Sequence, residues 1–522
     1  MIQYAKGPVS FLHLDLPNKN GKVSRKKVKQ LLWGDWVRIV EADQKKGWVK
    51  VKNGNRTYLM REKDLQDERV LEIIFLDVGQ GDGCILTEPG SHDNPRIIVV
   101  DSGVGSNMNG FLKWRFRDFP ETGDIHAAVI THSDKDHYNG FASVFRNAKL
   151  KIANVYHNGL VERTGGDLLG PVKNGYLTDI IGDHAQAKAL LNKKKNRGGK
   201  IYPNMLKRAI DAKHIGEIKA LTTVHGTSED GKTWMPGFAP SNDGPITIEV
   251  LGPVVEADGA GKPRLRAFGA AATSTSMNDG KTKNGHSVLL RLDFNGFRVL
   301  FGGDLNTPSE TFLMLWYGNG QTVPEPLSGD DPLFKKIGDK AVIKAAKERL
   351  AVDLMKTCHH GAADVTEEFL QATFATAFVI SSGDEEGYVH PRPDLLGLLG
   401  KNGRGTRPLL LSTELLRSTR EREDDKLGPK LDQLSNEIEA EVAKGDQGDE
   451  ELLKTLRAER KKLRDDLLKR NVGVYGAINL RTDGKDAVIA FRKESASPTN
   501  RWFFYELKRD KKGVFLPVLK GH

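Results

Sequence analysis

A chain of 522 residues, 38% hydrophobic and 28% charged, is long enough for one large layered domain with smaller additions, and no stretch approaches the ~20 uninterrupted apolar residues of a membrane helix. Its two cysteines, Cys84 and Cys358, each lie in an apolar segment, which argues against a disulfide framework or a zinc finger and leaves any metal to histidine and carboxylate. The net charge of +10, from 79 Lys and Arg against 69 Asp and Glu, favours polyanionic partners such as nucleic acid. The N-terminus, MIQYAKGPVS, lacks the basic start and apolar middle of a secretion signal, so a cytoplasmic protein with no membrane segment is expected.

The first unit is expected over residues 1–68. From Gly34, GDWVRIVEADQKKGWVKVKNGNRTYLMREKDL alternates apolar and polar residues between charged turns, the pattern of a small antiparallel barrel. It resembles a bacterial SH3-type domain, in which a Gly-Trp pair, here Gly47 and Trp48, opens a central strand. Such modules bind or orient a partner.

Residues 69–412 read as the main domain, of α/β class. VLEIIFLDVG, CILTEPG, RIIVVDSG and HAAVITHSD are continuous β-branched runs ending in Gly or Asp, as expected of strands covered on both faces. Strands resume at PITIEVLGP, HSVLLRLDF, FRVLFGGDL and TAFVISSG. Between the two sets, FLKWRFRDFP reads as an amphipathic helix with aromatics inward and basic residues outward, in preference to a nucleic-acid surface. KKKNRGGK, residues 193–200, reads as a solvated basic loop. Residues 160–243 show weak periodicity and no clear order, and the Gly, Ala and Ser-rich stretch 259–280 reads as a mobile loop.

Residues 413–470 are expected to form an inserted helical hairpin. Leu431, Leu434, Ile438 and Val442, then Leu452, Leu456, Leu463 and Leu467, recur at three-, four- and seven-residue steps on either side of KGDQGDE. The hairpin is a candidate for dimerisation or contact with a protein partner, with a purely structural arm as the alternative. Residues 471–522 contain GVYGAINLRTDGKDAVIAFRK from Gly473, with the alternation and Asp-Gly turn of a β-hairpin, and are expected to complete the main domain.

The chemistry concentrates in THSDKDHYNG, residues 131–140, where His132, Asp134, Asp136 and His137 crowd one loop after a strand. Like charges gathered so closely are best explained by a cation, and alternate residues of such a loop suit two ions a few ångströms apart. A hydrogen-bonded turn with an aspartate capping the next helix is the bland alternative. Further ligand types follow other apolar runs: Asp304 after a Gly pair in VLFGGDL, His359 and His360 in TCHHGA, and His390 in YVHP. Taken singly, each has an ordinary turn or surface reading; their joint placement after strand-like runs points to a metal site. No Ser-His-Asp or Cys-His arrangement and no phosphate-binding Gly-Lys-Ser/Thr loop stands out.

The ordered set FLDVGQGDGCIL, VVDSG, THSDKDH, NGHSVLLRL, FGGDL, CHHGA and YVHP resembles the metallo-β-lactamase superfamily, in the branch of the hydrolase domain of the DNA-uptake channel protein ComEC, and is also similar to phosphorylcholine esterases. Nothing matches the ComEC membrane channel. The resemblance implies an αββα sandwich with the SH3-like barrel and helical hairpin as additions, and two divalent ions, zinc or manganese. It implies that His132, Asp134, Asp304 and one of His359 and His360 hold one ion, and that Asp136, His137, Asp304 and His390 hold the other. The remaining histidine of the pair, taken as His359, would protonate a leaving group. Asp77, Asp101, Asp82 and Gln80 would support the loop from behind, and His157 ranks below His360 as a ligand. Asn284 and Ser287 would contact substrate or cap a strand. The implied reaction is hydrolysis by activated water, with Asp136 also in a catalytic role. DNA is the leading substrate of this phosphodiesterase or nuclease reading. A small phosphodiester or other ester is the alternative, as is a metal-stabilised binding scaffold.

Overall fold

The computed structural model describes the chain except residues 18–20, 43–46, 80, 91–94, 116–123, 270–276, 321–322, 324–335, 384–389, 414–427, 443, 445–448, 475–476 and 519–522. It is a mixed α/β protein built on two large sheets that pack face to face. In the first, Leu71–Phe75, Gly83–Thr87 and Ile97–Ser102 are joined antiparallel, and Asp124–Val129, Lys151–His157 and Ile215–Ala220 extend the sheet in parallel. The second begins as an antiparallel meander through Thr247–Gly252, Leu289–Phe294 and Phe297–Phe301. It then turns parallel through Leu354–Lys356, Ala377–Ile380 and Leu409–Ser412.

Strand alternation explains the layers. Ile73 and Phe75 point between the sheets, where they join Val129, Leu290, Val299 and Val379 in one core. Ile74, Val99 and Ala128, one residue out of phase, face outward against Met108, Phe111, Phe141 and Leu206 of helical segments. On the far side Leu300, Met355 and Phe378 face Phe312, Leu350, Phe369 and Leu399, which belong to the helices Thr307–Gly318, Lys340–Leu350, Glu367–Thr373 and Pro393–Asn402. The order across the molecule is helix, sheet, sheet, helix. A strand buried on both faces needs no polar alternation, and Leu71–Phe75 is buried at all five positions.

The chain's ends meet. Ile478–Thr482 pairs antiparallel with Leu71–Phe75, and Asp486–Ser497 folds back on it through the turn at Asp483 and Gly484. The N-terminal seven-stranded sheet has its own core of Ala5, Leu12, Leu31, Val37, Val51 and Met60. It docks on the C-terminal strands, where Leu32, Trp33 and Val70 meet Val488 and Ala490, and Gln30 Oε1 accepts from the Arg501 and Trp502 amides at 2.6 and 3.0 Å. No helix among the described residues is long and apolar enough to cross a membrane.

Strand pairing in the N-terminal unit begins at Ile2, and Val9–Pro17 and Val23–Leu32 pair ahead of the alternating stretch from Gly34. Several other expectations need correction. Residues 160–243 are ordered: the helices His184–Asn192 and Ile201–Asp211 cover the first sheet, the former opened by a capping box at Asp183 and Gln186. Within 193–200 the chain makes a helical turn, Lys194–Arg197, rather than a loop. In the stretch 259–280, Pro263–Arg266 is a strand paired with Tyr176–Leu177, and residues 270–276 lie outside the described residues.

In FLKWRFRDFP, Phe111 is buried and Lys113 exposed as expected, but Arg115 turns inward to form a bidentate pair with the buried Glu72 at 2.8–3.1 Å. Phe116 and the following residues of that motif lie outside the described residues. The helical hairpin comprises Gly428–Val442 and Glu450–Val474. Its seam is Leu434, Ile438 and Leu456 with Leu453 and Leu463. Val442 and Leu452, expected in that stripe, are exposed: Val442 is the last residue of its helix, and Leu452 lies ~100° around the axis from Leu453.

Glu310, fully buried on Thr307–Gly318, accepts from the Thr366 amide and from its hydroxyl at 2.9 Å. Burial pushes its carboxyl up to about 8 against those two bonds. A folded pKa above the unfolded 4.5 means that its stabilising contribution is complete below pH 4.5 and is lost as pH rises through about 8. Denaturant unfolding of wild type and Glu310→Gln should therefore diverge, with the variant gaining relative stability by up to about 1.4 kcal/mol per pH unit across that window. Parallel pH profiles would show that the carboxyl is ionised throughout.

Candidate metal centre

Four strand ends converge where the two sheets meet. Asp101 closes Ile97–Ser102, the loop 130–137 leaves Asp124–Val129, Asp304 follows Phe297–Phe301, and His359 and His360 follow Leu354–Lys356. The approach of these loops depends on glycine. A Cβ on Gly81 would lie 1.7 Å from the Asp136 carbonyl oxygen, and one on Gly303, at φ +52°, would lie 2.6 Å from Ser287 Cβ. Asp101, His359 and His360 themselves adopt positive φ of 54°, 48° and 52°, a conformation that L residues hold only where surrounding contacts compel it.

At the centre, His137 Nε2, His360 Nε2 and Asp304 Oδ2 form a triangle with edges of 3.1, 3.1 and 3.2 Å. Asp136 Oδ2 lies 3.3 Å from His360 Nε2. His132 stands beside this group, with its Nε2 3.7 Å from Asp134 Oδ2 and 3.8 Å from Asp304 Oδ2. Asp82, His137, Asp304 and His360 offer ligand atoms all within 4.8 Å of one another and can hold a metal ion.

Within that set Asp82 faces the other side of the rings. Its Oδ1 meets His360 Nδ1 at 3.2 Å and its Oδ2 accepts from the Lys356 ammonium, while the Nε2 atoms turn toward Asp304. Asp101 stands likewise behind His137, 2.8 Å from Nδ1, and accepts from the Thr131 amide and hydroxyl at 2.8 and 2.6 Å. A carboxylate behind an imidazole fixes the tautomer that leaves the opposite nitrogen free to ligate.

The electrostatics demand positive charge. Asp82, Asp101, Asp134, Asp136 and Asp304 gather around two ammonium groups, Lys356 on Asp82 and Lys283 on Asp134. Burial disfavours a charged His137, yet the Asp304 and Asp101 carboxylates outweigh it and hold the ring well above the usual histidine range. Burial and the Asp304 and Asp82 carboxylates act in the same opposed way on His360, which is also held high. Asp304 is held well below the usual carboxylate range because the two imidazoliums overcome its burial. His132, with burial and His137 acting together, is pushed down to about 4.

Tetrahedral Zn²⁺ with bonds of about 2.0–2.1 Å separates its ligand atoms by about 3.3 Å, which matches the triangle. His132 Nε2 and Asp304 Oδ1 are buried without a hydrogen-bond partner, another mark of a site built around a cation.

The remaining expected residues divide. Ser287 is buried, with Oγ donating to the Asn284 carbonyl at 2.8 Å, lying 3.3 Å from His132 Nδ1 and accepting from the Asp304 amide at 3.0 Å. Its hydroxyl thus braces two ligand candidates. Asn284, with its amide nitrogen toward the acceptors, donates to Asp134 Oδ2 at 2.9 Å. Asp77 accepts from the Gly79 amide at 3.0 Å and closes its own turn; Gln80 lies outside the described residues.

Where the resemblance implied one histidine of the pair beside His132 and Asp134, His360 lies next to Asp136 and His137, its Nδ1 tied to Asp82 and to the Ser381 carbonyl at 3.1 Å. His359 and His390 lie at the rim, with ring centroids 6.3 Å apart. His157 is fully buried and accepts from the Gly159 amide at 3.1 Å, apart from the cluster. Sequence reasoning missed Lys283 and Lys356. The signal for Lys356 was present: a lysine at the end of a fully buried strand, four residues before His360. Compared with known proteins, the chain matches no family model and no curated protein.

Asp101→Asn tests the supporting layer. Its amide would donate to His137 Nδ1 and place the proton on Nε2, the wrong tautomer for ligation. Cation affinity measured by calorimetric titration should fall about 10–100-fold, with the far-UV circular dichroism unchanged. Undiminished affinity would leave Asp101 with only its bonds to Thr131.

Proposed function

We propose that this protein is a metal-dependent hydrolase of phosphodiesters, with DNA as its substrate. The observation that carries the reading is the 3.1–3.2 Å triangle of His137 Nε2, His360 Nε2 and Asp304 Oδ2, with Asp136 beside it and His132 Nε2 directed at the same carboxylate. The helix, sheet, sheet, helix order and the position of the cluster at the strand ends support the metallo-β-lactamase resemblance of the ordered motifs. The N-terminal sheet is accordingly proposed as the SH3-type barrel.

His137, His360, Asp304 and Asp136 would hold one ion, and His132, Asp134 and Asp304 a second, with Asp304 shared. A divalent cation so held supplies Lewis acidity, which acidifies water and stabilises the anionic oxygens of a phosphodiester. The chain's own residues supply the rest. Asp101 and Asp82 keep the rings oriented, and Ser287 fixes His132 against Asp304. Asp136, turned toward the accessible side, accepts a proton from water. His359, half-buried and with Nδ1 lacking a hydrogen-bond partner among the described residues, is placed to protonate a leaving oxygen.

Purified protein with Mn²⁺ or Zn²⁺ should cleave linear or circular DNA and a chromogenic phosphodiester. The double variant Asp136→Ala, His137→Ala should lose at least about 10³-fold in rate on both. Hydrolysis of the chromogenic ester with DNA left intact would assign a small phosphodiester as substrate. Parent-like cleavage by the double variant would remove this site from the chemistry.

A further inference from the structure

The positive charge of the chain is unevenly spread. Residues 1–68 hold 15 Lys and Arg against 8 Asp and Glu, so this short unit carries +7 of the total +10. Strand register collects much of it on one face. Opposed residues of antiparallel strands share a face, and the pairs Arg38↔Lys52, Trp48↔Arg61, His13↔Lys27 and Asp15↔Arg25 are directly opposed. The edge-to-face contact of His13 and Trp48, with centroids 4.9 Å apart, joins these pairs into one surface. The opposite face is the apolar core of Val37, Val51 and Met60.

Two of the cations on this surface are matched by acids, Arg25 by Asp15 at 2.9 Å and Lys50 by Glu41. Lys27, Arg38, Lys52 and Arg61 are exposed, and none has a carboxylate within ion-pair distance among the described residues. They surround half-exposed aromatic rings. The Arg25 guanidinium lies 4.3 Å and that of Arg61 5.6 Å from the Trp48 ring centre, and the Lys27 ammonium lies 4.0 Å from that of Phe11. Beside Trp48 is an open recess of about 630 Å³ lined by Gly47, Trp48, Arg61, Glu62 and Lys63.

We propose that this face of the N-terminal sheet is a binding surface for a single nucleic-acid strand, with Lys27, Arg38, Lys52 and Arg61 on phosphates and Trp48 as a platform for a base. Unpaired cations alone would suit any polyanion. Cations interleaved with half-exposed aromatic rings suit a ligand that alternates anionic groups with flat apolar ones. The choice of nucleic acid rests on the phosphodiesterase reading of the metal centre, whereas the cationic and aromatic face does not.

The test is fluorescence anisotropy of a labelled oligodeoxythymidylate with the full chain in excess chelator, so that binding is read without hydrolysis. Binding should weaken with salt, with log K falling by about 0.7 per log unit of salt for each phosphate engaged. Lys27→Glu with Arg61→Glu should bind at least about 10-fold more weakly and lower that slope by about 1.4, while Lys27→Arg with Arg61→Lys restores both. Trp48→Ala should lose about 5-fold or more with the slope unchanged.

With metal restored, the charge-reversed variant should hydrolyse the chromogenic phosphodiester at the parent rate, showing that it folds. Equal binding by parent and charge-reversed protein, or no binding by the parent at low salt, overturns the proposal and leaves the hydrolase reading standing. Tighter binding of the parent to phosphatidylserine vesicles than to the oligonucleotide, lost in the same variant, would reassign the face to a membrane surface. Variant-sensitive oligonucleotide binding with no hydrolysis of either substrate keeps the surface and rejects the hydrolase.

Discussion

One buried oxygen sets the terms for the site. Asp304 Oδ2 lies 3.1 Å from His137 Nε2 and 3.2 Å from His360 Nε2, and the residues come from different layers: Asp304 and His360 from strand ends of the second sheet, His137 from a strand end of the first. The triangle exists only if the sheets stack in their observed register. The apolar core between them, Phe75 and Val129 against Leu290 and Val299, therefore fixes the distance between ligand atoms. Interiors packed at crystal-like density transmit small volume changes, so an error in that core would appear at the triangle as misplaced ligands.

Behind the triangle, charge alternates in layers. Lys356 meets Asp82, Asp82 meets His360, and His360 meets Asp304; on the other side Asp101 meets His137. Each buried charge has an opposite neighbour, as it must where water is excluded. A lone buried carboxylate at Asp304 would have reason to take up a proton. Two rings pre-aligned on it keep it ionised, and their alignment comes from hydrogen bonds made before any ligand arrives. The positive φ angles of Asp101, His359 and His360 belong to the same design, since each is held by strand-end contacts that also aim its side chain.

The histidines and aspartates of the cluster and their location at strand ends were legible in the sequence because both follow from local signals: an apolar run, then Gly, Asp or His. Their grouping in space was not. His360 joins Asp136 and His137 through contacts spanning more than two hundred residues, and no local period encodes them. Asp82 and Lys356 are separated by 274 residues and read as unrelated until the sheets pack. The helical hairpin was legible as a pair of apolar stripes, yet its seam uses Leu453 in place of Leu452, because the partner helix and not the stripe alone decides which side is covered. Residues 160–243 resisted reading because their helices are short and are separated by turns, and the one long strand among them, Ile215–Ala220, is a sheet edge with exposed and buried residues mixed.

The burial pattern gives the site a direction. His132, His137, His360, Asp101, Asp82 and Asp304 are all buried, whereas the Asp134 and Asp136 side chains retain 29% and 18% of their exposure and His359 and His390 are half-buried. Solvent and any substrate therefore reach the cluster from the Asp134, Asp136 and His359 side. Lys283 stands at that same opening, its ammonium on Asp134 and 3.3 Å from Glu162 Oε1. That ammonium offsets one of the acids at the opening, which lowers the repulsion an incoming phosphate would meet there. Under the proposed reaction the closed half holds and the open half admits, and the boundary between them runs through the loop that carries Asp134 and Asp136.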